Sequence, residues 1–327
     1  MRLFCIFVAL ATIGKHIDTA AQTLENGGLV AIPTETVYGL AANAINETAV
    51  LKIFEAKQRP FFDPLIIHVA SLTDVSRYAE LTDARLKSLA EGFWPGPITL
   101  LLPKKSIVPD LVTSGLPQVA IRVPKHELTL ELLRKVSFPL AAPSANPFGY
   151  VSPTEPEHVN KQLGDKVDYI LDGGKCEVGL ESTIVGIEDG VICVYRLGGL
   201  ALEEIEKVVG KVELRLNLSS DPKAPGQLKN HYAPRKPLFI GDLNELVQKN
   251  KAQKIAAIIF GKKELSQANY IFNLSEGGDL KEAAVNLFAV LRKIDETDAD
   301  MIIVEPLPDE GLGRAINDRL KRAEFRS

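Results

Sequence analysis

Apolar positions along the chain fall into short unbroken runs and into stripes of helical spacing. This is the rhythm of buried strands separated by amphipathic helices. Residues 16–26, HIDTAAQTLEN, put Ile17, Ala20, Ala21 and Leu24 on one helical face, and Gly27 and Gly28 end that helix. LVAI (29–32) reads as a short buried strand and residues 46–57 as the next helix. Further apolar runs follow: LIIHV (65–69), ITLLL (98–102), VAIRV (119–123), YIL (169–171), TIVGI (183–187) and VICVYRL (191–197), with helical patterns at 126–136 and 201–209 among them. The pattern predicts an α/β domain with a mixed sheet.

The rhythm breaks at 217–237, where NLSSDPKAPGQLKNHYAPRKP has four prolines and little periodicity. Such a stretch is a linker or a functional loop. Beyond it, PLFIG, KIAAIIF and DMIIVEP are strand-like and alternate with helices at 278–294 and 313–325; Leu280, Ala284, Leu287, Leu291 and Ile294 form one stripe. A small, parallel, doubly wound domain is expected there. The organisation is therefore an N-terminal extension (1–15), a large α/β domain (16–216), the proline-rich linker (217–237) and a C-terminal Rossmann-like domain (238–327).

Composition narrows this picture. A chain of 327 residues suggests two domains, and a formal net charge of −4 argues against a protein that coats nucleic acid. Cys5, Cys176 and Cys193 have no metal-like spacing and read as reduced thiols of a cytoplasmic protein. The start MRLFCIFVALA imitates a signal peptide, but its apolar region is minimal, and a buried first strand or an upstream start codon is the plainer reading. The run is too short to span a bilayer, and no membrane association is expected.

The common nucleotide and zinc motifs are missing: no G-x-x-x-x-G-K-[ST], no G-x-G-x-x-G after the first strand, no HExxH and no CxxC. Other residues invite a chemical reading, each beside a plainer one. Pro60 pushes Arg59 towards an extended conformation, so Lys57 and Arg59 would project together and clamp an anion, or remain solvated charge. Ser144 and Asn146 in APSANPFG could face one way, or form an ordinary turn. Arg122, inside the strand VAIRV, needs a partner or a ligand. Glycines in DGGKCEVGLESTIV (172–185) could offer free N–H groups beside Ser182 and Thr183, or simply turn the chain. Thr34, Thr36 and Tyr38 follow the first strand, where ligands bind or helices are capped. His68 could be a core histidine, and Trp94 a packing residue or a ligand wall.

Taken in order, PTETVYGLA, KQRP…PLIIHV, WPGPITLLLP, VAIRVP, APSANPFGYVSPT and GLESTIV resemble the threonylcarbamoyl-AMP synthase family, built on the YrdC-like domain. HYAPRKPL and EPLPDEGLGRAINDRLKRA resemble the tail of its long, two-domain form. The resemblance implies a twisted mixed sheet around a concave, positively charged cavity. It also implies condensation of L-threonine, bicarbonate and ATP, with Mg2+, into threonylcarbamoyl-adenylate and pyrophosphate. A downstream tRNA threonylcarbamoyl-transfer machinery would use the product, and weak RNA contact is conceivable. By the same resemblance Lys57 and Arg59 are catalytic and, with Ser144, Asn146, Ser152, Arg196 and Tyr232, bind ATP. Thr36, His68, Arg122, Ala142 and Ser182 surround the threonine, and the linker is a lid. Asp63 and Gln118 depart from the family's usual residues, so no contact is assigned to them. An RNA-binding module without catalysis is the alternative. A related carbamoyl-adenylate enzyme of hydrogenase maturation would carry acylphosphatase and zinc-finger segments, which this sequence lacks.

Overall fold

The computed structural model describes residues 11–216, 224–225, 232–265 and 267–325. The signal-like start, Cys5 and most of the proline-rich linker lie outside the described residues. The larger sheet holds β1 (Thr12–Gly14), β2 (Val30–Ile32), β3 (Gly39–Asn43), β4 (Ile66–His68), β5 (Ile98–Pro103), β6 (Gln118–Arg122), β7 (Leu140–Ala141), β8 (Tyr169–Leu171), β9 (Thr183–Glu188), β10 (Val191–Arg196) and β11 (Glu213–Leu214). Their spatial order is β1-β8-β2-β3-β7-β4-β6-β5-β9-β10-β11. Pairings are mixed: β4 runs parallel to β6 but antiparallel to β7, and β5 is antiparallel to β6 but parallel to β9. Among the described residues seven α-helices accompany this sheet: α1 (Ile17–Glu25), α2 (Glu47–Lys57), α3 (Ala84–Phe93), α4 (Asp110–Thr113), α5 (Glu127–Lys135), α6 (Pro156–Leu163) and α7 (Leu202–Val209).

Local chemistry sets several boundaries. Asn46 caps α2 by accepting from the Ala49 amide at 3.2 Å, and Gly27 follows α1 in the left-handed region at φ +73°. Thr12–Gly14, grouped with the extension in the sequence reading, pairs as an edge strand with β8. The GLA of PTETVYGLA, to which the apolar runs assigned no strand, lies in β3.

The C-terminal domain contains β12 (Leu238–Ile240), α8 (Leu243–Lys249), β13 (Ile255–Ile259), β14 (Tyr270–Asn273), α9 (Leu280–Asp295), β15 (Met301–Val304) and α10 (Gly311–Ala323). Its sheet, ordered β12-β15-β13-β14, is parallel throughout. Strand alternation divides the faces as expected for a doubly wound domain. Ile255, Ala257, Ile259, Met301 and Ile303 pack with Leu243 and Val247 of α8. Ala256, Ile258, Ile302 and Val304 join Leu287, Phe288, Ile316 and Leu320 of α9 and α10 in the cluster that also holds Ile53, Leu100 and Ile121 of the large domain. One continuous core thus joins the domains. Gly179 permits a close approach: a Cβ there would meet the Ala284 carbonyl oxygen at 2.5 Å. No helix among the described residues is long and apolar enough to cross a membrane.

Candidate active site

A cavity partly open to solvent is lined by Thr36, Arg59, His68, Arg122, Ala142, Ser144, Ser182, Arg196 and Tyr232, with Thr34, Glu181 and Pro225 among its further walls. The sheet order makes this convergence possible. β4 and β6 are neighbours, so His68 and Arg122 face each other in register, and Ala142 follows β7 on the other side of β4. Ala142 donates its amide to the Ile66 carbonyl at 3.0 Å. Nine of the residues anticipated by the family resemblance therefore share one cavity, although they come from separate segments of the chain.

Lys57 and Arg59 differ from the sequence expectation. Lys57 is the last residue of α2, and Gln58 closes the helix in the left-handed region at φ 54°. With Lys57 helical and Gln58 left-handed, residues 57–59 are not one extended run, so the two cations do not project together from one strand. Lys57 is buried, and its Nζ donates to the carbonyls of Ser144 and Asn146 at 2.5 Å each. Burial first, and the Arg59 charge second, hold its pKa well below the usual lysine value. Arg59 reaches the cavity wall while its guanidinium donates to the carbonyls of Asp63 and Pro64 at 3.0 and 2.8 Å. It also pairs with the Asp63 carboxylate at 2.8 Å.

The neighbouring loops serve each other. Ser144 lines the cavity, whereas the Asn146 side chain turns inward and donates to the carbonyls of Pro147 and Tyr150 at 2.8 Å. The glycine segment is a strap rather than a set of free amides. Gly173 donates to the Tyr38 hydroxyl, Gly174 to Asp172, Val178 to the Glu35 carbonyl and Gly179 to the Thr36 carbonyl. Thr34 and Thr36 share a hydroxyl contact at 2.7 Å. Trp94 closes its own turn by donating to the Ile98 carbonyl at 2.8 Å, which is a packing role. Gln118 pairs with Pro103 at the far end of β6.

Carboxylates stand behind the arginines. Arg122 meets Glu35 at 2.8 Å, with both side chains almost fully buried, and also donates to the Gly96 carbonyl at 3.2 Å. Burial, and then the Arg122 charge, lower the His68 pKa to about 3, so its imidazole is neutral at ordinary pH. Arg196 donates to the Ser182 carbonyl and hydroxyl, each at 3.0 Å, and Ser182 also contacts the Thr99 hydroxyl at 2.7 Å. Ser152 does not line the cavity; its hydroxyl donates to Glu181, which does. The sequence reading gave no role to Glu35 or Glu181. The signal lay in a single charge held inside each of the otherwise neutral runs PTET and GLEST.

An arginine-rich cavity with hydroxyls and a neutral imidazole, in a mixed sheet joined to a parallel domain, defines a two-domain α/β protein suited to a small anionic ligand. Comparisons with known proteins narrow that class. The Sua5/YciO/YrdC family model, described as telomere recombination, matches residues 22–198, and the model of the threonylcarbamoyl-AMP synthase C-terminal domain matches residues 200–324. The chain is 41% identical to threonylcarbamoyl-AMP synthase of Pyrococcus abyssi, over 94% of this chain and 93% of that one. It is 39% identical to threonylcarbamoyl-AMP synthase of Bacillus subtilis, over 96% and 94%. The crystal structure of P. abyssi Sua5 complexed with L-threonine superposes with a TM-score of 0.88 at 39% identity, covering 96% of each chain. The chain belongs to the threonylcarbamoyl-AMP synthase family, in its two-domain form.

Proposed function

We propose that this protein is a threonylcarbamoyl-AMP synthase, condensing L-threonine, bicarbonate and ATP into threonylcarbamoyl-adenylate and pyrophosphate. The observation that carries this reading is the single cavity gathering Thr36, His68, Arg122, Ala142 and Ser182 with Arg59, Ser144, Arg196 and Tyr232. Its support is the end-to-end likeness to a Sua5 crystallised with L-threonine.

In this reading the Arg122 fork binds the threonine carboxylate, and neutral His68 beside it adds no competing charge. The threonine amine takes up bicarbonate, releasing water and leaving a carbamate. A carbamate oxygen forms a bond to the α-phosphorus of ATP while the bond from that phosphorus to the bridging oxygen breaks and pyrophosphate leaves. This chemistry needs alignment and charge neutralisation rather than a protein nucleophile. Arg59, with Lys57 behind Ser144 and Asn146, offsets the charge growing on pyrophosphate; Arg196 and Tyr232 serve the nucleotide, and Ser152 acts from behind Glu181. Magnesium enters with ATP as part of the substrate. Among the described residues no cluster of three or more His, Cys, Asp or Glu side chains has metal-binding geometry. The product would pass, in the cytoplasm, to a machinery that transfers the threonylcarbamoyl group to tRNA.

The test is pyrophosphate release from MgATP with threonine and bicarbonate each present or omitted. Release that requires both supports the synthase. Release without threonine points to another acceptor, and salt-sensitive RNA binding without any release would favour a binding module.

A further inference from the structure

The C-terminal domain touches the wall of the cavity from behind, through Arg319. Arg319 of α10 is 1% exposed and heads the large, fully buried side chains among the described residues. Its Nε donates to Glu181 at 2.9 Å, its Nη2 to the Leu197 carbonyl at 2.8 Å and its Nη1 to Asp318 at 2.7 Å. Its guanidinium carbon lies 4.7 Å from the centre of the Tyr232 ring, whose other neighbours include Phe288 of α9, stacked at 5.8 Å between centroids. Glu181 and Tyr232 both line the cavity, and the second oxygen of Glu181 accepts from the Ser152 hydroxyl. A second arginine of the same domain, Arg292, donates to the carbonyls of Val151 and Ser152.

We infer that Arg319 is a positioning residue for the nucleotide side of the cavity, acting through Glu181 and Tyr232, so that the C-terminal domain forms part of the functional site. This inference rests on the synthase reading for the identity of the nucleotide. Glu181 is 6% exposed and faces a cavity that is to receive a triphosphate. With Arg319 in place its charge is balanced and both oxygens are fixed. Without Arg319 a buried carboxylate would face the incoming phosphates, repelling them at short range. Tyr232 would also lose the cation over its ring. The Arg122 side of the cavity has its own carboxylate, Glu35 at 2.8 Å, whereas Arg319 bonds Glu181, Asp318 and Leu197, so the Arg122 side should be spared. A residue that only docked the domains would affect both sides alike.

The experiment uses the full chain. Wild type, R319Q, R319Q/E181Q and R314Q are compared for ATP KM and kcat in pyrophosphate release, for equilibrium binding of a non-hydrolysable ATP analogue, and for threonine Kd by calorimetry. Arg314 pairs with Glu203 across the same interface but outside the cavity lining, so R314Q controls for docking. We expect R319Q to raise ATP KM and analogue Kd at least about tenfold with threonine Kd within about twofold of wild type. Removing the Glu181 charge in R319Q/E181Q should recover part of that loss, and R314Q should match wild type. Unchanged ATP parameters in R319Q overturn the inference, as does an equal loss of ATP and threonine binding that the second substitution leaves untouched. If R319Q does not fold, R319K takes its place, because an ammonium cannot hold Glu181 and the Leu197 carbonyl in one fork; the same outcomes decide. Absence of pyrophosphate release by wild type would overturn the synthase reading instead, and analogue binding would still judge Arg319.

Discussion

Arg122→Ala tests two functions of one side chain that a single measurement would confound. In the free protein Arg122 is the cation of a buried pair with Glu35, at 2.8 Å and with 4% and 3% side-chain exposure. Removing it strands a buried carboxylate whose described neighbours then include the Lys125 amide at 3.0 Å. Breaking such a pair costs about 3–5 kcal/mol. For a domain of this size the melting temperature should fall by at least about 6 °C. If Arg122 also binds the threonine carboxylate, each charge-assisted bond lost costs about 1.5–3 kcal/mol, and threonine Kd should rise by about 10- to 150-fold. Glu35→Gln in the same chain separates the two effects. Arg122→Ala/Glu35→Gln should recover much of the stability, since no bare charge is buried, yet keep the weakened threonine binding. Thermal unfolding and calorimetric titration of the four proteins complete the double-mutant cycle. Threonine affinity restored together with stability would refute the assignment, since the loss would then come from a distorted cavity rather than a missing ligand contact.

Other substitutions probe the remaining walls. Lys57→Met keeps the bulk but removes both bonds to the Ser144 and Asn146 carbonyls. It should lower kcat/KM for ATP by about a hundredfold or more, and a value within about threefold of wild type would sink the role given to that lysine. Asp63→Asn takes the carboxylate away from Arg59. ATP should bind more tightly and pyrophosphate leave more slowly, as read by analogue titration and single-turnover kinetics; weaker ATP binding would contradict this. Because the His68 pKa is lowered from 6.5 to about 3, the unfolded chain binds more protons in that window. The stability contributed by neutral His68 is present above pH 6.5 and is lost as the pH falls towards about 3. His126 and His158 are lowered too, so the contribution should be measured as the difference between wild type and His68→Asn in urea unfolding across that range. Parallel profiles would show that His68 is not held neutral.

The large elements were legible because their periodicity is strong. The α9 stripe Leu280, Ala284, Leu287, Leu291 and Ile294 occupies the helix Leu280–Asp295, and the apolar runs at 98–102, 119–123 and 183–187 are strands. Short elements escaped: β7 has two residues, and β14 alternates with little burial. At the site, family motifs brought the right loops together, but side-chain direction depended on local competition that spacing does not encode. Lys57 remained helical despite the proline that follows Arg59, because Gln58 could adopt the left-handed cap. Buried partners were hardest to see. Glu35, Glu181 and Arg319 sit next to residues the motifs emphasise, and only tertiary contact reveals what each one balances. Arg319 did leave a trace, as a charge among Ile316, Leu320 and Ala323 on the buried face of α10.

The most direct test of the central claim is to supply 13C-labelled bicarbonate with MgATP and L-threonine and to identify the adenylate by mass spectrometry. The account predicts a threonylcarbamoyl-adenylate that carries the label and disappears when threonine is omitted. AMP or ADP formed without any labelled threonine adduct would contradict it.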